Sequence, residues 1–294
     1  MSGGRVPDLT VVEKAVAAAL RAPTVYGGSP GQWRIGHSAL HLFADTARWE
    51  PAVDPDGRAL MLSCGAALHH FRVSFAGLGW STRVVRLPRP ADEPGHLAVV
   101  TPLPAEPPPE EAALAGAIDR RRDRPRHGGR PVPREYVDGM VRAAAREGAV
   151  LQREGLVRLR PGAGTAARGA RHRVVAPSRV ISGRRPPAVE VRSAPAVLVL
   201  STADDTPLAW LRAGEAWSAV VLTAAKYGLA VRTDRVFEAK WTTAGRIPQA
   251  ALHPGWPLPV AEPVLADVAE VLEPLEVLEP LEVRYQVSGS WYRP

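Results

Sequence analysis

Shifting the chain against itself by 149 residues brings Asp56 onto Asp205, Gly65 onto Gly214, Gly79 onto Gly228, Arg83 onto Arg232 and Arg86 onto Arg235. A duplicated unit constrains the architecture before any motif is read, because each copy must supply the same elements. Both copies contain one long helix. In the first, Leu60, Cys64, Leu68, Phe71, Phe75 and Leu78 recur at steps of three and four; in the second, Trp210, Ala213, Trp217, Val220, Ala224 and Tyr227 do the same. Each helix runs into a glycine, Gly79 or Gly228, where a left-handed C-terminal cap belongs. A strand-like stretch follows each, Ser81 to Leu87 and Ala230 to Phe237.

Further strands are predicted over Leu40 to Ala44, His96 to Thr101 and Pro195 to Ser201, all short and bounded by Pro, Gly or Asp. Helices are predicted over Leu9 to Arg21, Pro109 to Arg122 and Arg134 to Glu147. The Pro-rich stretch Pro102 to Pro109 marks a boundary, so the chain reads as two α+β halves. In the tail, Leu-Glu-Pro-Leu-Glu-Val occurs twice, at Leu272 to Val277 and Leu278 to Val283. Proline at every sixth position forbids a continuous helix there, and the tail is expected to form a peripheral arm.

Composition removes several function classes. With 294 residues and 46% hydrophobic content the chain can bury a real core. Its apolar runs, such as Ala196 to Leu200 and Trp217 to Ala225, fall well short of the roughly 20 residues of a membrane span. Arg5, Pro7 and Asp8 interrupt the stretch where a secretory signal would need an apolar core, and Cys64 has no internal disulfide partner, so a cytoplasmic address is expected. The net charge of +7 is segregated: residues 117–186 hold 18 Arg against 6 acids, while residues 261–283 hold seven acids and no base. Without aromatic interleaving this basic run reads as a solvated surface before it reads as a nucleic-acid groove.

Individual motifs are weighed in the same way. His69 and His70 lie about 100° apart on their helix, so they cannot share a metal as an i, i+4 pair can. Cys64 lies on an apolar stripe and reads as a buried small hydrophobe. Gly162-Ala163-Gly164-Thr165-Ala166-Ala167 matches a dinucleotide fingerprint, but Pro161 interrupts the strand-to-turn step and no acidic residue follows about 20 positions on. No nucleophile elbow supports a hydrolase. The cluster Arg120, Arg121, Arg122, Arg124 and Arg126 could cradle a phosphate, or form a solvated basic turn.

Several segments together resemble one family. They are Ala22-Pro23-Thr24 after an amphipathic helix, residues 52–57 (Ala-Val-Asp-Pro-Asp-Gly), 63–70 (Ser-Cys-Gly-Ala-Ala-Leu-His-His), 117–124 (Ala-Ile-Asp-Arg-Arg-Arg-Asp-Arg) with Pro131-Val132-Pro133, and 210–216 (Trp-Leu-Arg-Ala-Gly-Glu-Ala). In this order they resemble the Acg-like branch of the nitroreductase family, over most of Val11 to Leu272. The resemblance implies an α+β pseudo-dimer of two nitroreductase-like units fused in one chain, with mixed sheets flanked by helices. Residues 9–101 would be the first half, 102–109 the linker, 110–272 the second half with a short lid over 158–192, and 273–294 the carboxy-terminal arm.

The same resemblance implies one composite flavin mononucleotide (FMN) site. Arg120 and Arg124, with Arg122 between them, match the phosphate-binding motif of one unit; Pro23 and Thr24, with Gln32 and Trp33, match the loop that packs on the flavin ring in the other. Hydride would pass from NAD(P)H through FMN to a nitroaromatic, quinone or similar small acceptor. The sequence also departs from the pattern. Arg122 replaces a hydroxyl residue, residues 24–33 lack the family's Asn and its Gln-Pro-Trp continuity, and residues 262–265 (Glu-Pro-Val-Leu) lack the family's carboxy-terminal arginines. An alternative reading is therefore a flavin-free member that binds another small molecule or a protein, and a nucleic-acid binder ranks third. Substrate, pathway and oligomeric state stay open.

Overall fold

The computed structural model describes residues 7–26, 28–29, 31–36, 38–121, 130–153, 197–235, 245–258, 272–274, 286–287 and 290–291. The first helix, α1 (Leu9–Leu20), starts at Asp8, whose carboxylate accepts the Val11 N–H at 2.9 Å. After the strands β1 (Gly31–Ile35) and β2 (Leu40–Ala44) and a 3-10 turn at Thr46–Arg48 comes α2 (Arg58–Gly77), followed by β3 (Ser81–Arg86) and β4 (His96–Leu103). Helix α3 (Pro109–Ile118) leads to α4 (Arg134–Arg146), β5 (Val150–Arg153) and β6 (Leu198–Thr202). The chain continues through α5 (Pro207–Lys226), β7 (Ala230–Arg235) and β8 (Ile247–Gly255). Three short strands close it: β9 (Leu272–Pro274), β10 (Gln286–Val287) and β11 (Ser290–Trp291).

The glycine caps form as predicted, at φ 82° for Gly79 and 75° for Gly228. At the first, the Trp80 N–H reaches the Phe75 carbonyl and the Gly79 N–H the Ala76 carbonyl; at the second, Leu229 reaches Ala224 and Gly228 reaches Ala225. Each closes carbonyls that the helix end would leave unpaired. Gly148 (φ 84°) closes α4 in the same way, a third instance the sequence reading omits.

The two halves repeat each other in topology. The first runs α1, β1, β2, α2, β3, β4 and the second α4, β5, β6, α5, β7, β8. Their sheets carry the strands in the same order, β1-β2-β4-β3 and β5-β6-β8-β7, antiparallel in both. A register shift recurs at the equivalent place, between Leu42 and Phe43 in β2 and between Leu200 and Ser201 in β6. The first sheet is mixed only because β9 adds to it, parallel to β1; the second is antiparallel among the described residues.

Helices α2 and α5 pack on each other through the duplicated glycines. A Cβ on Gly65 would collide with the Leu211 carbonyl, and one on Gly214 with the Leu62 carbonyl, so the contact is built from the same pair of positions in each copy. Helix α1 flanks α2, α4 flanks α5, and α3 touches both central helices. Placed between sheets and helices, α2 is buried all round from Ala59 to Phe71. The stripe predicted for one face is therefore too narrow, since a central helix has no solvent side.

Other differences have identifiable causes. Strand β8 escapes a sequence reading because Pro248 and Pro254 interrupt it; Pro248 pairs with Ser201 at the register shift and Pro254 lies near the strand's end, where a missing N–H is tolerated. Helix α3 stops at Ile118, short of the predicted Arg122, and Arg21 engages both the side chain and the carbonyl of Asp119 there. Strand β1 occupies residues that the resemblance assigns to a ring-binding loop. The tail does not simply hang from the second half, because β9 returns to the first half's sheet and covers the edge of β1. The lid 158–192, the Gly162–Ala167 motif and residues 122–129 lie outside the described residues. No helix among the described residues is long and apolar enough to cross a membrane.

Candidate functional site at the seam between the halves

The turn after α1 is held in shape by short polar contacts. Thr24 Oγ1 accepts the Tyr26 N–H at 3.0 Å and donates to the Gly28 carbonyl at 3.2 Å. The Val25 N–H donates to Ser63 Oγ on α2 at 3.2 Å, and the Tyr26 hydroxyl donates to Asp54 at 2.7 Å. Asp54 is buried and accepts the Ala59 and Leu60 N–H groups at 3.0 Å each, so a carboxylate caps the positive end of α2 and fixes the loop to it. This explains the residue 52–57 motif in physical terms: Asp54 is a helix cap and a loop anchor.

Pro23 and Thr24 thus lie along α2 at the seam, but Gln32 and Trp33 belong to β1. Trp33 is fully buried and stacks on Phe71 with ring centroids 4.5 Å apart, so it serves the core and offers no open platform to a ligand ring. The family resemblance assigns Trp33 to a ring-binding loop. Register decides otherwise, pairing Trp33 with Leu42 on the core face of the sheet.

The arginine turn comes from the other half and meets this loop. Arg21, one residue past the last turn of α1, ion-pairs with Asp119 at 2.5 Å and donates to its carbonyl at 3.4 Å. Arg120 is exposed beside it, and Arg121 turns inward close enough to influence His70. Pro23 and Thr24 follow Arg21, and Arg120 follows Asp119, so the Arg21–Asp119 pair links the two segments; Arg122 and Arg124 lie outside the described residues. A crevice beside the loop is shared likewise, lined by Val25, Ala59 and Leu62 of the first half and Trp217, Thr233 and Gln249 of the second.

Beneath the arginine turn the helices exchange polar groups. Ser218 Oγ lies 2.7 Å from Nδ1 of both His69 and His70. His69 and Ser218 are themselves related by the 149-residue offset, the signal through which the sequence could have shown this contact. Both imidazoles are buried. Burial first, then Arg72, lowers the His69 pKa to about 3; burial first, then Arg121, holds that of His70 well below the ordinary histidine range. Cys64 is buried too, and burial pushes its thiol well above the ordinary cysteine range, so it is a core residue and not a reactive thiolate.

An ion network sits beside the histidines. Glu215 on α5 is fully buried and receives Arg86 in bidentate fashion, at 2.6 and 2.8 Å, and Arg72 at 3.1 Å. Arg72 also pairs with Glu147 at 2.9 Å and with Glu111, and these carboxylates raise its pKa against the opposing effect of burial. The network opens on a cleft between α3 and α4, bordered by Glu110, Arg142, Arg146 and Lys226. Among the described residues, His70 Nε2 and Gln249 Oε1 are buried with no hydrogen-bond partner. Such orphans are costly unless another group meets them. No group of His, Cys, Asp and Glu among the described residues could hold a metal.

No family model matches the sequence. The chain is 35% identical to the Mycobacterium tuberculosis (strain H37Rv) protein named "Putative NAD(P)H nitroreductase Rv3131", over 88% of each chain. A second protein of that organism, "Putative NAD(P)H nitroreductase acg", is 41% identical over 96 residues, 33% of this chain and 29% of its own. A third, "Uncharacterized protein Rv3127", is 36% identical over 94 residues. Similarity at that level over nearly nine-tenths of both chains shows that the protein belongs to the nitroreductase family.

Proposed function

We propose that the chain is an FMN-dependent oxidoreductase, a fused pseudo-dimer of two nitroreductase-like units, that passes hydride from NAD(P)H to a small organic acceptor of nitroaromatic or quinone type. One observation supports the reading most: the Arg21–Asp119 pair joins the residue after α1 to the turn after α3, the two segments from which the resemblance would build a composite pocket. Arg120, with Arg122 and Arg124, would hold the flavin phosphate, as planar guanidinium forks suit a dianion. Pro23 and Thr24 would border the ring, and the unpartnered Gln249 Oε1 would meet a donor on it. Bound FMN would supply the hydride chemistry, while the protein supplies orientation and electrostatics.

A second reading, a flavin-free member binding another small molecule or a protein, is favoured by Trp33. Its burial removes the platform that the resemblance assigns to it. One measurement separates the two. The purified chain should be yellow and release FMN on denaturation, and it should consume NAD(P)H when a quinone or nitroaromatic is added. A colourless protein that takes up no added FMN would sink the first reading and leave the second.

A further inference from the structure

The cleft between α3 and α4 holds about 490 Å³, a size that suits a small molecule, and it shares no lining residue with the seam crevice. Its polar lining is incompletely paired. His69 lines it while being only 2% exposed, and its Nδ1 is taken by Ser218 Oγ at 2.7 Å. The other nitrogen, Nε2, faces Glu147 Oε1 at 3.6 Å, too far for a hydrogen bond. Glu147 is held in place by Arg72, which takes its Oε2 at 2.9 Å and leaves Oε1 without a donor among the described residues. The Ala66 carbonyl takes the His70 proton, which frees the Ser218 hydroxyl to donate to His69 Nδ1 and places the His69 proton on Nε2. A buried N–H and a carboxylate oxygen thus face each other across a gap that one bridging atom can fill.

The chemistry of that bridge is restricted. Burial holds His69 neutral, with its pKa lowered to about 3, so the imidazole offers an anion no charge. A carboxylate or phosphate between His69 and Glu147 would meet a like charge, whereas a hydroxyl accepts from His69 Nε2–H and donates to Glu147 Oε1. An anionic group has a place elsewhere in the same cleft. Arg146 is paired with Glu110 at 3.2 Å, but the exposed Arg142 and Lys226 form no ion pair among the described residues. Leu114 of α3, Ala143 of α4 and Ala219 of α5 add apolar wall for a carbon skeleton. We propose that the cleft binds a small hydroxylated organic acid, its hydroxyl between His69 Nε2 and Glu147 Oε1 and its carboxylate on Arg142 and Lys226. The site uses neither the loop after α1 nor the arginine turn, so it stands or falls separately from the flavin assignment.

The experiment is a titration of 15N-histidine-labelled full-length chain with the ortho, meta and para isomers of hydroxybenzoate, which vary the spacing between hydroxyl and carboxylate. At least one isomer should move the His69 Nε2 resonance and leave that of His41, in the first sheet, unmoved. Benzoate, which lacks the hydroxyl, should bind about tenfold more weakly than that isomer. Arg142→Gln combined with Lys226→Gln, both at exposed positions, should weaken binding about tenfold or more while the urea midpoint stays unchanged. Added FMN should leave the affinity as it was. No shift at His69 with any isomer at millimolar concentration, equal affinity for benzoate, full affinity in the double variant, or competition with FMN would each overturn the assignment.

Discussion

Glu215 shows how a single residue can be indispensable without touching any ligand. It has no exposed surface, yet it carries a charge that Arg86 and Arg72 compensate from the other half. Removing one member of a buried ion network leaves its partners desolvated and unpaired, which costs about 3–5 kcal/mol. Glu215→Ala should therefore lower the unfolding free energy by that order, read as a fall in the urea midpoint. Replacing Glu215 and Arg86 together with apolar residues of similar volume should recover much of the loss; no recovery would mean that the ion pair itself, and not the uncompensated charge, governs stability. The residue scale is also where sequence reading was weakest. Arg120, Pro23 and Thr24 are assigned through a family pattern, whereas the contacts of His70 and Ser218 and the burial of Gln249 depend on distances that only the packed halves define.

At the scale of elements the repeat told more. The offset of 149 residues located both central helices and both capping glycines, because caps and apolar periodicity are local signals. It could not show that Gly65 and Gly214 face each other, since their proximity depends on the crossing of α2 and α5. These glycines have a different role from the caps, and the difference is measurable. At Gly79 an added Cβ meets nothing within 4 Å, so alanine costs only the strain of φ 82°, about 1 kcal/mol. At Gly65 the same methyl group strikes the Leu211 carbonyl, and the helices must separate. Gly65→Ala should cost more than Gly79→Ala, by about 1–3 kcal/mol. Equal losses in thermal or urea unfolding would contradict the close helix crossing. The strands were less legible: β1 hid behind a Gly- and Pro-rich approach, and the prolines of β8 argue against a strand until its register shift is known.

Taken as a whole molecule, the described residues bury several histidines whose charged form nothing compensates fully, and this gives stability a definite pH dependence. His41, His69, His70, His96 and His253 all have their pKa values lowered by burial, His41 to about 4 and His69 to about 3. A second buried pair contributes in the first sheet, where His41 Nδ1 lies 3.0 Å from His96 Nε2, so both cannot be protonated without repulsion. In the unfolded chain each histidine returns to a pKa near 6.5 and binds its proton. Between about pH 6.5 and the lowered native values the unfolded state therefore holds more protons, and stability must rise with pH. It is fully present above about pH 6.5 and is lost as the pH falls towards the native values. At pH 5 each fully suppressed histidine costs about 2 kcal/mol relative to neutrality, so His41, His69 and His70 together remove several kcal/mol. Urea unfolding at pH 7.5 and at pH 5 should show that loss, while pH 7.5 and pH 8.5 should differ little. His41→Gln should flatten the slope by about one proton's share without touching the seam between the halves, which separates the sheet pair from the seam pair. Equal stability at pH 7.5 and pH 5 would mean that these imidazoles meet water in the native state, and the close packing of both histidine pairs would have to be given up.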